Sequence, residues 1–543
     1  MSARTRLRTP LAAAALSAAV AALYAPALGF AFLSYDDPVY VSRNPHLAEG
    51  LTAASVRFAF AHAHAGNWHP LTWLSHALDV ELFGLAPAGH HATNVALHAG
   101  NAALLFAALA ALTRKPGRSF AVAALFALHP LQLESVAWVA ERKNLLSTSF
   151  GLLALLAYAG YARRGGALLL LGVTALLAAS LLSKAMLVTL PFLLLLLDVW
   201  PLERRETLGR RVVEKLPLFA LSTAVSALVF VVQSRAGAMD PSAHVPLLAR
   251  LAYLPLATVD YLARALWPQG LAVLYPHPLI TGGGALSAAA VGLATLLLLS
   301  LSALAFWRYR RGARAAWIGW LWFLGALVPV SGIVQVGWQG TADRYAYVPL
   351  IGLLLAVVWS AADVLARIRP AARARGAAVL ATALACALLA LASRAQLGHW
   401  RSSEALFARA LAVTGPNPVM HNELGAVFVA ETRYAAAREQ FEAALALAPD
   451  WSAPHLNLGS LLRETGQPAD ALPLLERSVA LDPARVASRI ALANVLLDLG
   501  RREDAEAQLD GARALDAADP RVLFVETRLE AEDEKMGEAQ DSE

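Results

Sequence analysis

Apolar runs long enough to cross a bilayer recur along most of this chain, and they limit its fold more than any motif does. Residues 11–33 and 285–306 fall within the roughly 17–25 residues a spanning helix needs, and 167–182 approaches it. Of 543 residues, 58% are hydrophobic and 16% charged, with a mean hydropathy of +0.52. A soluble domain is about 45–50% apolar and about 25% charged, so the excess calls for an apolar solvent. Backbone groups in lipid must pair within their own segment, which makes these runs helices. The net charge of +5 and pI of 9.4 do not signal nucleic acid, because the basic residues sit in short clusters between apolar runs, where they set topology. Cys386 is the only cysteine, which excludes an intramolecular disulfide and a cysteine-based zinc site.

The basic clusters at 114–118, 163–164, 203–215, 308–314 and 367–375 are expected on the cytoplasmic side. About eleven spans satisfy that condition: 11–33, 91–113, 119–138, 145–162, 166–182, 185–200, 215–232, 285–306, 317–333, 347–366 and 376–393. Arg4, Arg6 and Arg8 precede the first, whose apolar length exceeds that of a cleaved signal, so it reads as a retained helix. Residues 250–267 are helix-like but carry Arg250, Asp260 and Arg264, and read as interfacial or re-entrant. By parity the outward loops are 34–90, 139–144, 183–184, 233–284 and 334–346. The C-terminal tail then lies outward as well. Usage rich in Ala, Leu and Arg points to a bacterial inner membrane, with the tail in the periplasm.

Residues 417–450, 451–484 and 485–518 repeat with a period of 34. Leu424-Gly425 recurs as Leu458-Gly459 and Leu492-Ala493, while Ala437, Ala471 and Ala505 are each followed four positions on by Phe441, Leu475 and Leu509. Pro449 and Pro483 close the first two units. This is the tetratricopeptide (TPR) helix–turn–helix pattern, an α-solenoid whose usual role is to bind a partner. The resulting division is a membrane domain over 1–393, a half-repeat linker over 394–416, three repeats over 417–518, and a capping helix (520–533) with an acidic tail over 519–543.

The chemistry-bearing residues cluster in the outward loops. Asp36-Asp37 follow the first span, and two adjacent carboxylates repel, raising one toward the range of a general base. A hydroxyl nucleophile needs such a base; the plainer reading of Asp37-Pro38 is a turn. Nine of the 14 histidines lie between His46 and His129, yet none has the HExxH spacing, and no metal site is assigned. His129, Glu134 and Arg142 sit beside the next outward turn, Lys184 at another, and Arg344 in Ala342-Asp343-Arg344-Tyr345-Ala346-Tyr347. Intramembrane ionisable groups usually face a cavity or a partner. Acids at one loop with cations at three others suit transfer of a sugar from a polyprenyl phosphate.

Taken in order, these motifs resemble the GT-C superfamily of membrane glycosyltransferases, and within it the transmembrane, TPR-containing O-mannosyltransferase group and its bacterial relatives. The landmarks are Tyr35-Asp36-Asp37 with Asn44; Trp68-His69-Pro70-Leu71-Thr72 with Asn94 and His98; His129-Pro130 with Glu134 and Arg142; Lys184; Ala342 through Pro349; and the repeats after Trp400. The resemblance implies inverting transfer to a protein or glycan acceptor on the outward face, the TPRs presenting the acceptor or a partner. Asp36 or Asp37 would be the catalytic acid residue of the first loop, the other positioning the acceptor or a divalent cation; no other cofactor is implied. Arg142, Lys184 and Arg344 would contact the donor phosphate, with His129 and Glu134 shaping the cavity. His69-Pro70 departs from the Arg-Pro pair of eukaryotic members. A non-catalytic TPR scaffold for envelope or secretion assembly is the competing reading.

Overall fold

The structure is a computed structural model and describes residues 3–237, 245–280, 286–368, 370–517 and 519–541. Arg4, Arg6 and Arg8 have no described side chains. The chain forms two compact units, Met1–Val413 and Thr414–Glu543.

Among the described residues, all eleven apolar segments of the first unit are largely helical. Six are long and apolar enough to cross a membrane singly: Thr9–Gly29, Pro87–Thr113, Val139–Arg164, Leu216–Arg235, Ala288–Arg310 and Ala371–Trp400. A seventh is a pair, Pro116–Ala127 and Pro130–Ala137, bent by 59°. The other four, Ala167–Ser183, Ala185–Val199, Arg314–Val330 and Pro349–Leu365, have 10–17 residues and fall short of that length. The chain is an integral membrane protein.

The bend follows from His129-Pro130. Proline has no N–H to continue a helix, so a turn of backbone is released inside the bundle. Irregular backbone at that depth survives only where protein satisfies its polar groups. Here the His129 Nδ1 accepts from the Leu131 amide at 3.1 Å, and Ser393 Oγ donates to the Leu128 carbonyl at 2.9 Å. Asn94 Nδ2 donates to the carbonyls of Val136 and Trp138 at 3.3 and 3.1 Å. Asp37 accepts from the Ala140 amide at 2.8 Å.

The loops sort into two groups. Ion pairs join loops that carry the basic clusters: Arg118 to Asp363 at 3.4 Å and Arg314 to Glu203 at 3.0 Å. In the same region Lys215 and Asp198, both fully buried, pair at 2.6 Å. The loops without such clusters converge instead on a cavity, described below.

The helix Leu247–Leu266 carries three charged side chains and is not among the spans. Arg250 donates to the Ile333 carbonyl at 2.9 Å, and Arg264 donates to Thr341 at 2.8 Å and pairs with Asp343 at 3.3 Å. Leu247, Leu248, Leu251, Leu266 and Trp267 are exposed. Its arginines face the 333–343 loop while these leucines are exposed, which makes the helix two-faced.

In the second unit, Pro418–Ala430 packs on Tyr434–Leu447, Ser452–Glu464 on Pro468–Leu481, and Val486–Asp498 on Arg502–Leu515. A Cβ at Gly425 would lie 2.5 Å from Phe441, and one at Gly459 2.7 Å from Leu475, which explains the small residues of the repeat. The last helix, Pro520–Asp541, extends past the 520–533 expected of the cap. The helix Ser403–Thr414 packs largely within the first unit: Ser403 Oγ accepts from the Ser34 amide at 2.8 Å, and Phe407 meets Tyr35 edge-on.

In the bundle, Gly319 and Gly352 face each other, and a Cβ at Gly352 would lie 2.6 Å from the Gly319 carbonyl. Small residues let membrane helices approach this closely. Gly352→Leu should therefore lower the thermal midpoint in detergent by several degrees, from an overpacking cost of about 1–3 kcal/mol, without changing helix content by circular dichroism.

Candidate functional site

A cavity of about 420 Å³ is lined by residues of the first loop (Asp36, Tyr40, 65–69), the bent segment (Trp138, Glu141, Lys143), the turn at Lys184, the end of the helix Leu216–Arg235, and the 329–345 loop. Beside it lies a second space of about 240 Å³ between the helices Ala167–Ser183 and Leu216–Arg235, lined by Ala178, Leu182, Leu221, Ala224, Val225 and Leu228. Trp68 contributes to both walls. One space is charged and the other apolar.

The two adjacent aspartates have different fates. Asp37 is fully buried, and its oxygens accept from the Leu33 and Ala140 amides, each at 2.8 Å. It ties the end of the first helix to the bent segment. Asp36 faces the cavity instead. Burial raises its carboxyl above the usual value, Lys143 and Arg344 pull it back, and Glu141 pushes it up again. For Asp37, burial outweighs the two amide bonds and lifts it to about 7.

The cations of the cavity share one carboxylate. Glu141, almost wholly buried, lies 3.2 Å from Lys143 Nζ, 2.8 Å from Lys184 Nζ and 3.5 Å from Arg344 Nε. Arg344 also pairs with Glu134, which accepts from the Arg344 backbone amide at 2.8 Å. Lys143 sits 4.3 Å from the centre of the Tyr40 ring and bonds its hydroxyl at 3.1 Å. Trp138 offers its face to Arg344 at 5.4 Å. Burial, with Lys143 and Arg344 beside it, brings Lys184 down to about 8 despite Glu141. Asp343, next to Arg344, is anchored by Arg264 and by the Tyr275 hydroxyl, 3.1 Å from both carboxylate oxygens.

Of the residues expected at the donor phosphate, Lys184 and Arg344 line the cavity and Arg142 does not. The Arg142 guanidinium, fully buried, is consumed elsewhere: Asp79 at 2.5 Å, Asn94 at 2.9 Å, the His90 carbonyl at 2.9 Å and the Ser75 carbonyl at 3.1 Å. Successive helical residues point about 100° apart, and Arg142 turns toward Asp79 while Lys143 turns the other way. Lys143 takes the cavity. His129 is also off the wall; its two nitrogens bond the Ala265 carbonyl and the Leu131 amide. Glu134 acts from behind, through Arg344. His69 lines the cavity but stacks on Tyr40, and burial keeps it well below its usual pKa, so it is neutral. Among the described residues no three His, Cys, Asp or Glu side chains converge as metal donors. Glu141 and Lys143 were missed as site residues although they flank Arg142 in Glu141-Arg142-Lys143; their spacing alone gave no reason to prefer them.

Tetratricopeptide-repeat family models match residues 418–484 and 462–529. Protein O-mannosyl-transferase Tmtc1 of Drosophila melanogaster is 40% identical over 138 residues, 25% of this chain and 16% of the relative. TMTC1 of Mus musculus is 32% identical over 159 residues, 27% and 17% of the two chains, and Tmtc2 of Drosophila melanogaster 36% identical over 141 residues, 25% and 15%. The resemblance is to the protein O-mannosyl-transferases. Each of these matches spans about a sixth of the relative's length. Among solved structures, YrrB, a TPR protein, overlaps 24% of this chain and 68% of its own, at 24% identity and a TM-score of 0.22.

The split between the aspartates is testable by stability. Asp37→Asn turns an acceptor into a donor facing an amide, at a cost of about 1–3 kcal/mol. The folded pKa of Asp37 lies above the ordinary 3.8, so its contribution is full at low pH and is lost as pH rises through about 7. Thermal melts in detergent should show Asp37→Asn less stable at low pH, with a flatter decline toward neutrality. Asp36→Asn, which breaks no backbone tie, should cost less than Asp37→Asn at low pH.

Proposed function

We propose that this protein transfers a sugar from a polyprenyl-phosphate donor to a hydroxyl of a protein acceptor on the outward face of the membrane, with inversion at the anomeric carbon. The observation that supports it most is the juxtaposition of Asp36 with Lys143, Lys184 and Arg344 in one cavity beside an apolar groove. A lipid phosphate needs both: cations for its head and an apolar channel for its chain. The names of the relatives make mannose the first sugar to try and a protein the first acceptor.

In this reading the isoprenoid chain follows the groove between the helices Ala167–Ser183 and Leu216–Arg235. The donor phosphate sits against Lys184, Lys143 and Arg344. Asp36 accepts the proton of the acceptor Ser or Thr hydroxyl as its oxygen bonds to the anomeric carbon. The bond from that carbon to the phosphate oxygen breaks at the same time, and the electron pair leaves with the polyprenyl phosphate. Negative charge grows on the leaving oxygen, where preorganised cations in a low-dielectric site lower the barrier most. Asp37 positions Asp36 through the backbone. The TPR unit supplies the surface that binds the protein acceptor or a partner.

Purified protein in lipid nanodiscs should transfer sugar from a polyprenyl-phosphate mannose to an acceptor peptide. Asp36→Asn should lower kcat by about 100-fold or more, the usual weight of a general base, with folding intact. Parent-like turnover by Asp36→Asn would remove Asp36 from the role of base, and a parent protein that transfers no sugar would leave the scaffold.

The pH profile carries a second expectation. Asp36 works ionised, and its value is raised, so kcat/KM should climb with pH along a limb lying above the usual carboxylate range of about 4. Lys184 works protonated and loses its proton near 8, so the rate should fall above that pH. Lys184→Gln should erase the falling limb and raise the donor KM.

A further inference from the structure

A carboxylate at the centre of a phosphate site needs explaining. Glu141 touches all three cations expected to receive the donor head, at 3.2, 2.8 and 3.5 Å. Its side chain is 2% exposed. Taking a carboxylate out of water costs several kcal/mol, so a buried one at this point marks a role. Two other acids are near: Asp36 on the wall, and Glu134, which holds Arg344 from the other side. The three cations of the cavity thus face two carboxylates on its wall, Asp36 and Glu141, with Glu134 behind Arg344, before any substrate enters.

We infer that Glu141 is the resident anion of the donor subsite, holding Lys143, Lys184 and Arg344 where a phosphate takes them and competing with that phosphate for the same cations. The inference rests on the glycosyl-transfer reading. The charge balance of the step shows why competition is useful. The donor is a phosphodiester with one negative charge and Asp36 carries another. After transfer Asp36 is protonated, and the phosphate is a monoester carrying close to two charges. The total is unchanged, but the charge has moved onto the group that must leave. Three unopposed cations would retain a phosphate monoester strongly and make its release slow. A carboxylate that returns to those cations as the product departs lowers that barrier. It also keeps three long side chains ordered while the site is empty, so less entropy is lost when donor binds.

Glu141→Gln keeps the shape and removes the charge. Binding of a polyprenyl monophosphate, followed directly by quenching of tryptophan fluorescence in nanodiscs, should tighten roughly tenfold, the equivalent of about 1.4 kcal/mol. In turnover, kcat and the donor KM should fall together as product release slows. Glu141→Asp, which retains the charge, should restore product affinity toward the parent value. Unchanged or weaker binding of the monophosphate by Glu141→Gln overturns the inference, as does a donor KM that rises while kcat falls. If Glu141→Gln does not fold, Lys184→Gln decides: it should weaken monophosphate binding roughly tenfold, and unchanged affinity overturns the shared-cation assignment. Parent protein that binds no polyprenyl monophosphate overturns both the inference and the donor reading. Parent that binds it, with Glu141→Gln identical, overturns the inference alone.

Discussion

A helix that breaks at membrane depth must find partners inside the protein for the backbone groups it releases, and the rest of this structure is organised around one such break. His129-Pro130 interrupts a helix, and the chain reaches Arg142 through short turns before a long helix resumes. Asp37, Asn94 and Ser393, from three distant parts of the chain, satisfy its amides and carbonyls. Arg142 then bolts the resumed helix to Asp79 and to the carbonyls of Ser75 and His90. Because the break is held so firmly, Trp138, Glu141 and Lys143 reach the cavity from a fixed backbone.

The charges of the cavity follow the same logic of mutual restraint. Buried ion pairs contribute little net stability, since desolvation offsets attraction, while removing one partner is costly. What they supply here is geometry. Glu134 and Asp343 fix the 343–347 segment from two sides, so that Arg344 can only face Glu141 and the cavity. Site and scaffold are therefore interlocked, and the difference between them lies in which side chains have a free approach to the cavity.

That distinction marks the limit of what could be read in the sequence. Period and apolar length located the TPR pairs and every apolar segment, because both are local properties of the chain. They did not foresee that four segments are 10–17 residue helices or that one span is bent. The acidic pair and the Arg344 motif were visible as unusual polar residues, and the loops bearing them meet. Direction was not visible. Asp36 and Asp37 are neighbours that point to different surroundings, and so are Arg142 and Lys143. Choosing within each pair depends on partners far along the chain, such as Asp79 for Arg142 and Ala140, 103 positions away, for Asp37. The histidine enrichment, which invited a metal reading, resolves into packed, neutral rings such as His69 and His76.

In the proposed reading the charged cavity and the apolar groove beside it hold the head and chain of one lipid phosphate. The most direct measurement is an experimental structure of the protein in nanodiscs with a non-transferable polyprenyl-phosphate sugar. The phosphate should lie within hydrogen-bond reach, about 3 Å, of Lys184 and Arg344. The sugar should lie toward Asp36, and the chain between Ala178, Leu182, Leu221 and Leu228. Lipid density elsewhere on the bundle, with this cavity empty or Glu141 still joined to all three cations beside a bound donor, would contradict it.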